Sequence, residues 1–244
     1  MRSTPSKKDI PLSERIIFAL DVDSEEAAVQ WLDRLGDQIG FYKVGLQLFL
    51  VGGFPVIDLI RQRGHKVMVD LKFFDIPETV GCAIRAMRGK GATFITVHGN
   101  DPILRAAVSG RHETQILAVT ALTSFDESEM REMGFTGTVE ELVYLRARRA
   151  LSLGCDGVIS SGLEAGRLRR DLGDRFLIVT PGIRPGMNDD TCGSDDQKRM
   201  ALAYTAIAAG ADHVVVGRPI RNAKDPIAVV REMQSEIAAA LQSL

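Results

Sequence analysis

The feature that most constrains the fold is an alternation of short, β-branched runs with longer amphipathic segments, repeated eight times along the chain. Nearly continuous apolar runs of this kind are typical of strands buried on both faces, as in a parallel sheet. The eight predicted strands are 16–23, 41–49, 66–75, 93–100, 115–124, 156–162, 176–184 and 212–220. Eight strand–helix units without a break in composition predict an α/β protein with a single (β/α)8 TIM barrel.

A doubly wound open sheet is the alternative fold, but it needs fewer strands, and no GxGxxG turn follows the first one. We assign residues 1–12 to a flexible N-terminal tail, because the chain is polar from its start to about Lys8. Residues 13–244 then form the barrel as one catalytic domain. Ser24 is the predicted N-cap of the first crossover helix, and Asp101 is the predicted N-cap of a later one, with Pro102 in its first turn.

Composition excludes several classes of partner. The net charge is only −2 and no long basic run is present, so we expect no nucleic-acid partner. No apolar run has the length of a membrane span, and the N-terminus lacks the apolar region of a signal peptide, so we expect no membrane partner. Three scattered cysteines without a CxxC pair fit free thiols in a reducing compartment, which predicts a cytoplasmic location.

The strongest chemical signal is the segment DLKFFD at the end of the third strand. Asp70 and Lys72 are two residues apart, so their side chains share one face of the strand and should point into the barrel mouth. Asp75 is an odd step from Asp70 and lies beyond the strand. A salt bridge that plugs the barrel is the alternative reading, but three charges at a strand's carboxyl end favour a functional site.

Charges at the ends of the two preceding strands strengthen this reading. Asp21 ends the first strand and Lys43 lies in the second. Buried charges are costly unless they are paired, and lysines among carboxylates are typical of catalytic sites. Because ammonium groups already occupy the places between the carboxylates, we expect no metal ion there, since magnesium prefers oxygen ligands with few cations nearby.

The opposite side of the mouth has the pattern of an anion site. The loops after the seventh and eighth strands usually form the phosphate cradle of a TIM barrel. Arg184 ends the seventh strand, Gln197 lies in the long connection that follows, and Gly217 and Arg218 end the eighth. Glycine lets the backbone approach an anion, and arginine supplies charge and donors. The alternative is a glycine–arginine turn with an exposed guanidinium.

Two further features concern the loops. Thr123 and Ser124 end the fifth strand, where their hydroxyls could bind a polar ring, although helix capping by Ser124 is an equally good interpretation. The connections at 125–154 and 184–197 are longer than the others, which makes them candidate lids.

Residues Asp70–Val80, with the sequence DLKFFDIPETV, resemble the signature segment of the orotidine 5'-monophosphate decarboxylase family. Further motifs resemble that family in the same order: ALDV at Asp21, YKVG at Lys43, LTS at Thr123, TPGIRP at Arg184, DQ at Gln197 and VGRPI at Arg218. The resemblance spans nearly the whole chain. It implies a homodimeric TIM-barrel lyase without a cofactor, which converts orotidine 5'-monophosphate (OMP) to UMP and CO2 in de novo pyrimidine biosynthesis.

The resemblance also implies roles for the charged array. Lys72 is the implied proton donor to C6 of the pyrimidine, and Asp70 the carboxylate that faces the substrate carboxylate and favours its departure. Lys43 and Asp21 are implied to hold the array and contact the ribose hydroxyls. Loss of CO2 leaves a carbanion in the ring plane, which preorganised positive charge stabilises.

The remaining implied roles concern binding and the second subunit. Asp75 and Thr79 are implied to enter the partner's active site, Asp75 as a catalytic residue, with Ile76 also counted as substrate-binding. Ser124, beside Thr123, is implied to bond the pyrimidine edge. The implied phosphate-binding residues are Gln197, Gly217 and Arg218, with Arg184 nearby.

Two rival functions remain. Sugar-phosphate decarboxylases and hexulose-phosphate synthases of the same superfamily share the Asp-x-Lys-x-x-Asp pattern, but they use magnesium and carry an acidic residue where Lys43 stands. A non-catalytic barrel that binds nucleotide phosphates is a rival of another class, and the presence of both Asp70 and Lys72 argues against it. One departure from the family is VHGND at 97–101, where many relatives resemble VHAxGG.

Overall fold

The computed structural model describes residues 8–184 and 199–243. In chain order its strands are β1 (Ile16–Ala19), β2 (Phe41–Gly45), β3 (Lys66–Phe73), β4 (Phe94–Val97), β5 (Gln115–Val119), β6 (Gly157–Ile159), β7 (Leu177–Thr180), β8 (Ile183–Arg184), β9 (Ala201–Leu202) and β10 (His213–Val216). Eight of them close into a parallel barrel in the order β1-β10-β7-β6-β5-β4-β3-β2, and β8 pairs with β9 as a small separate sheet. The predicted TIM barrel is therefore confirmed.

Helices follow the barrel strands and cover the outside of the barrel. They are α1 (Leu12–Arg15), α2 (Glu25–Leu35), α3 (Leu46–Gln62), α4 (Pro77–Ala86), α5 (Asp101–Gly110), α6 (Glu127–Glu132), α7 (Val139–Ser152), α8 (Gly162–Leu172), α9 (Ala203–Ala208), α10 (Arg218–Arg221) and α11 (Pro226–Gln242). A short 3-10 turn, Gly36–Gln38, follows α2. Within the described ranges, no helix is both long and apolar enough to cross a membrane.

The helix ends test the capping predictions. Ser24 caps α2, because its hydroxyl accepts a hydrogen bond from the amide of Ala27. The predicted N-cap role of Asp101 is wrong: Asp101 is the first residue of α5, and Asn100 occupies the cap position without a side-chain bond. The Asp101 carboxylate instead pairs with Arg149 of α7, so an ion pair between helices takes the place of the cap.

The long connection after β5 is largely helical. It contains α6 and α7, and each of these helices begins with a capping box, Asp126 with Glu129 and Thr138 with Glu141. In a capping box the side chains at the cap and at the third helical position bond each other's backbone amides, which fixes the start of the helix. Two regular helices thus occupy most of the segment that its length alone marked as a candidate lid.

Strand alternation divides the core into two parts. One side chain in two points outward and packs against the helices, and the alternate ones fill the barrel interior. The buried interior residues are Ile17, Ala19, Phe41, Met68, Phe94, Leu117, Val119, Ile159, Val179 and Val215. This apolar filling closes the barrel below its carboxyl end, so the polar side chains of the next layer can only face the mouth.

Residues 8–11, which the sequence analysis places in the tail, contact the amino end of the barrel. The Lys8 ammonium lies 2.8 Å from the Asp212 carboxylate and donates to the carbonyl of Phe176 at 2.5 Å. Arg169 of α8 also donates to Asp212, at 2.9 Å. Ion pairs therefore fasten the chain to the barrel four residues before α1 begins, and the predicted residues 1–7 of the tail lie outside the described part.

Candidate active site

Four charged side chains form one continuous array at the carboxyl end of β1, β2 and β3. The Lys43 ammonium lies 3.1 Å from Oδ1 of Asp21 and 3.5 Å from Oδ2 of Asp70. The Lys72 ammonium lies 3.0 Å from Oδ1 of Asp70. The structure thus brings together the four residues that the sequence analysis grouped, with carboxylate and ammonium alternating along the array.

Strand periodicity and strand pairing place these charges. Asp70 and Lys72 follow the interior residue Met68 at steps of two, and Lys43 follows the interior residue Phe41. β2 lies between β1 and β3 in the barrel, which puts Lys43 between the carboxylates of its two neighbours.

Gly45 makes room for the array. A Cβ atom at this position would lie 3.0 Å from the Lys43 ammonium and 3.3 Å from the Asp21 carboxylate. Any larger side chain would push against two charged groups that are already in contact. The glycine of the YKVG motif therefore has a steric reason to be present beside the lysine.

The backbone at Lys72 is strained. Its φ of 49° is the only positive value of a non-glycine residue in the described ranges, and the pairing of β3 with β4 shifts register between Val69 and Phe73. The Lys72 amide donates to the hydroxyl of Thr96 at 3.0 Å, and that hydroxyl donates to Asp70 at 2.9 Å. Strained backbone held by neighbouring bonds is frequent at functional sites, where it aims a side chain.

Burial differs along the array. The side chains of Lys43 and Asp70 are 12% and 11% exposed, whereas those of Asp21 and Lys72 are 42% and 37% exposed. Lys43 and Asp70 are thus largely shielded from solvent, whereas Asp21 and Lys72 are partly exposed at the opening. Of the four groups, Lys72 combines access to the opening with direct contact to a buried carboxylate, which suits a group that transfers a proton.

The pKa values of the two buried groups are set by opposing causes. Burial by itself raises the pKa of Asp70, but Lys43, Lys72 and the bonds from Lys72 and Thr96 outweigh it and hold that pKa below its usual value. Burial lowers the pKa of Lys43, but Asp70 and Asp21 outweigh it and hold that pKa above its usual value. Both groups are therefore charged at neutral pH, and each depends on the other for it.

A cavity of about 370 Å³ opens above the array. Nine predicted site residues line it: Asp21, Lys43, Asp70, Lys72, Thr123, Ser124, Arg184, Gly217 and Arg218. Val119, Ile159 and Val215, which belong to the buried interior of the barrel, add an apolar part to the lining. A cavity that combines fixed charges with apolar surface suits a flat, polar ring with one reactive edge.

The predicted anion-binding end lies on the same cavity. Gly217 precedes α10, and Arg218 is the first residue of that helix. A Cβ atom at Gly217 would lie 3.3 Å from Cβ of Ala19 and 3.7 Å from Oδ2 of Asp21, so the turn passes close to β1. Gln197, the other residue assigned to this end, lies outside the described residues.

The alternative interpretation of Ser124 as a helix cap is wrong. Asp126 is the N-cap of α6, and its carboxylate accepts hydrogen bonds from the amides of Ser128 and Glu129. Ser124 lines the cavity instead. Because the Asp126 carboxylate caps α6, the Ser124 hydroxyl is not needed as a cap and is available to the cavity.

Asp75, Ile76 and Thr79 are not brought to the cavity of their own chain. All three are exposed, and Ile76 is 66% exposed beside Phe74, which is 68% exposed. The Asp75 carboxylate accepts a bond from the amide of Ile76 at 2.6 Å just before α4 begins. The odd step from Asp70 to Asp75, noted in the sequence, corresponds to an exposed connection between β3 and α4 that does not line the cavity.

Two polar residues of the site escaped the sequence analysis. Thr96 bonds both Asp70 and Lys72, and its interior position could have been read from its step of two after Phe94. Arg221 lines the cavity and donates to the carbonyl of Asp21 at 2.7 Å. Its contact spans almost the whole chain, so nothing in the local pattern indicated it.

Residues 14–233 match the family model described as "Orotidine 5'-phosphate decarboxylase / HUMPS family". The chain is 49% identical over 233 residues to an orotidine 5'-phosphate decarboxylase of Methylococcus capsulatus, covering 95% of both chains. It is 46% identical over 241 residues to one of Xanthomonas euvesicatoria pv. vesicatoria, covering 97% of this chain and 98% of that protein.

Comparison with solved structures supports the same family as these sequence relatives. A crystal structure of orotidine 5'-phosphate decarboxylase from Lactobacillus acidophilus superposes with a TM-score of 0.79 at 37% identity, covering 92% of this chain and 99% of that one. A structure titled as an uncharacterized conserved protein from Geobacillus kaustophilus has a TM-score of 0.77 at 30% identity. Together with the match of the family model over most of the chain, these similarities show that the chain belongs to the orotidine 5'-phosphate decarboxylase / HUMPS family.

Proposed function

We propose that this chain is a carbon–carbon lyase that converts OMP to UMP and CO2 in de novo pyrimidine biosynthesis, without a metal or cofactor. Family membership supports the reaction. The observation that carries the mechanism is the placement of Lys43 and Lys72 on either side of Asp70, in the cavity that Arg218 also lines. A site with fixed charge at one end and a guanidinium on the same cavity suits a nucleotide monophosphate with a reactive base.

The proposed chemistry needs positive charge beside C6. The bond from C6 to the carboxylate carbon breaks, CO2 leaves, and the electron pair remains on C6 in the plane of the ring. The ring π system cannot delocalise this pair, so a preorganised ammonium beside C6 lowers the energy of the transition state. Lys72 supplies that charge and then transfers a proton from its Nζ to C6, which completes UMP.

Asp70 has two proposed effects. It holds both lysines by ion pairs of 3.0 and 3.5 Å, so their charges are in place before the substrate arrives. Its carboxylate also faces the departing carboxylate and repels it, a contribution second to the stabilisation of the carbanion by the lysines. The contacts of Asp70 with Thr96 and Lys43 limit the movement that would relieve this repulsion.

The proposed binding mode uses the rest of the cavity. Asp21 and Lys43 contact the ribose hydroxyls, and Ser124, with Thr123, contacts the pyrimidine edge. Gln197, Gly217 and Arg218 bind the phosphate, with Arg184 nearby. Binding energy from the phosphate, remote from C6, is available to organise the reacting end of the site.

We further propose a homodimer in which Asp75 and Thr79 enter the partner's active site, with Ile76 beside them. The exposure of Phe74 and Ile76 on the same loop supports a surface that a second copy covers. A cytoplasmic location is proposed from the free thiols of Cys82 and Cys155.

The test is an absorbance assay of OMP with protein that has been treated with EDTA and freed of metal by gel filtration. We expect full conversion to UMP, identified by chromatography, and no change when magnesium is added back. Well-folded protein that leaves OMP unchanged would contradict the reaction. Conversion of OMP that appears only with magnesium would contradict the metal-free mechanism.

A further inference from the structure

One arginine that lies outside the charged array holds a wall of the cavity. The Arg199 guanidinium donates to the carbonyl of Leu122 at 2.7 Å and to that of Ala121 at 3.4 Å, and its amide donates to the carbonyl of Thr123 at 3.2 Å. These are three consecutive carbonyls. They belong to residues 121–124, which all line the cavity and which we call the β5 wall.

The guanidinium is itself fixed by a buried carboxylate. Glu164 of α8 accepts from Nη1 of Arg199 at 2.5 Å, and the two side chains are only 6% and 11% exposed. Burial raises the pKa of Glu164, and the charge of Arg199 opposes that rise. Separating the two groups would leave a buried charge without its partner, which is energetically costly. The ion pair therefore keeps the Arg199 guanidinium in place.

A second arginine continues the same pattern. Arg146 of α7 donates to the carbonyl of Thr120 at 2.6 Å. Arg146 and Arg199 therefore donate to the carbonyls of four successive residues, from Thr120 to Thr123. Neither arginine is among the residues that line the cavity, whereas Thr123 and Ser124 of the β5 wall are.

We propose that Arg199, oriented by Glu164, is a positioning residue for the wall that recognises the base of the nucleotide. The inference rests on the proposed function, because it assigns the β5 wall to the pyrimidine. Arg199 touches no reacting atom; it acts by setting where the Thr123 and Ser124 hydroxyls lie. A guanidinium suits this task, since its planar fork donates in two directions at once, to the Glu164 carboxylate and to the wall.

The two ends of the ligand can be tested separately. UMP engages both the β5 wall and the phosphate site, whereas ribose 5-phosphate lacks the base. For Arg199→Lys, whose ammonium cannot span Glu164 and both carbonyls, we expect the Kd of UMP to rise roughly tenfold, equivalent to about 1.4 kcal/mol. We expect the Kd of ribose 5-phosphate to stay within about twofold of wild type, a change of less than about 0.5 kcal/mol.

Glu164→Gln is the milder second variant, because it keeps an acceptor for Arg199 but removes the charge that orients it. We expect the same selective loss of UMP affinity, smaller in size. Arg167→Lys is the matched control: Arg167 lies on the same helix and pairs with Glu140 and Asp171 away from the cavity. It should leave both affinities unchanged, and thermal melting should show all three variants folded.

The outcomes separate cleanly. Equal loss of UMP and ribose 5-phosphate affinity, or no loss of either, would overturn the positioning role of Arg199. If one of the variants Arg199→Lys and Glu164→Gln does not fold, the ligand affinities of the other one test the inference. If neither folds, the pair has a structural role and the inference is overturned too. Wild-type turnover of OMP is read in the same preparation, so a failure of the proposed reaction is recognised independently of the ratio between variants and wild type.

Discussion

The ammonium of Lys72 lies 3.0 Å from the carboxylate of Asp70, and the two residues are separated by only one position on the same strand. An ordinary strand places such side chains side by side on one face, but here the φ of 49° at Lys72 and a bond from its amide to Thr96 aim the ammonium. The pair is therefore a product of both strand alternation and a local break in it. Lys43 on the neighbouring strand β2 forms the second ion pair with Asp70.

Replacing Lys72 with alanine should abolish turnover and keep the fold. The variant loses both the charge beside C6 and the proton donor, so we expect kcat to fall by roughly 10³-fold or more. Circular dichroism and thermal melting check the fold, and absorbance at saturating OMP checks kcat. Lys66→Ala, at the other end of β3 and paired with Glu14, is the control that should retain activity. Near-native turnover by Lys72→Ala would remove this residue from its role.

Mixing two inactive variants should restore activity if subunits share their sites. In a hybrid of Lys72→Ala and Asp75→Ala chains, one site carries both wild-type residues and the other carries neither. Random pairing then yields about a quarter of wild-type activity, since half the dimers are hybrids with one intact site of two. Subunit exchange is verified with differently tagged chains. Verified hybrids without any rescue would show that Asp75 serves its own chain or none.

Arg218→Ala should weaken binding through the phosphate alone. A hydrogen bond to a charged group contributes about 1.5–3 kcal/mol, so we expect the Kd of UMP to rise roughly 100-fold. Uridine, which lacks the phosphate, should bind the variant and the wild type equally. Isothermal titration of both ligands to both proteins measures this difference. A parallel loss of uridine affinity would assign Arg218 to the nucleoside instead.

His213 should make the fold sensitive to acid. Its ring packs edge-on against those of Phe41 and Phe94 in the barrel interior, and burial lowers its pKa to about 4 from an ordinary value of 6.5. Because the folded state favours the neutral ring, the associated stability is complete above pH 6.5 and is lost as the pH falls towards 4, amounting to roughly 3 kcal/mol.

Urea unfolding at pH 7 and at pH 4.5 measures this effect. His213→Gln is expected to be less stable at pH 7 but to lose less stability on acidification than wild type, because it has no ring to protonate. His112→Gln, at an exposed histidine, is the matched control and should follow the wild-type pH dependence. Equal acid sensitivity of wild type and His213→Gln would contradict the assignment to His213.

Local sequence patterns predicted the fold class of this protein and the interior positions of several site residues. Alternation along β3 placed Asp70 and Lys72 on the interior face, and the same period of two in β4 identifies Thr96 as interior. Eight repeats of strand and helix favoured a barrel over an open sheet, and the carboxyl ends of its strands meet at one mouth, so residues at those ends were predicted to share one site. Local periodicity therefore determined the fold class and the face that each strand residue occupies.

What periodicity cannot determine is which side chains meet across strands and loops, because that depends on barrel closure and on contacts between distant parts of the chain. Only the tertiary structure gave the direct contacts of Lys43 with Asp21 and Asp70, moved the cap of α5 from Asp101 to Asn100, and brought Arg199 to a carbonyl 78 positions earlier in the chain. The strained backbone at Lys72 likewise lies where the pairing of β3 with β4 shifts register, which only the structure shows. The side of a strand on which a side chain lies is set by the local alternation of an extended chain. The residues that this side chain contacts are set by the closure of the barrel.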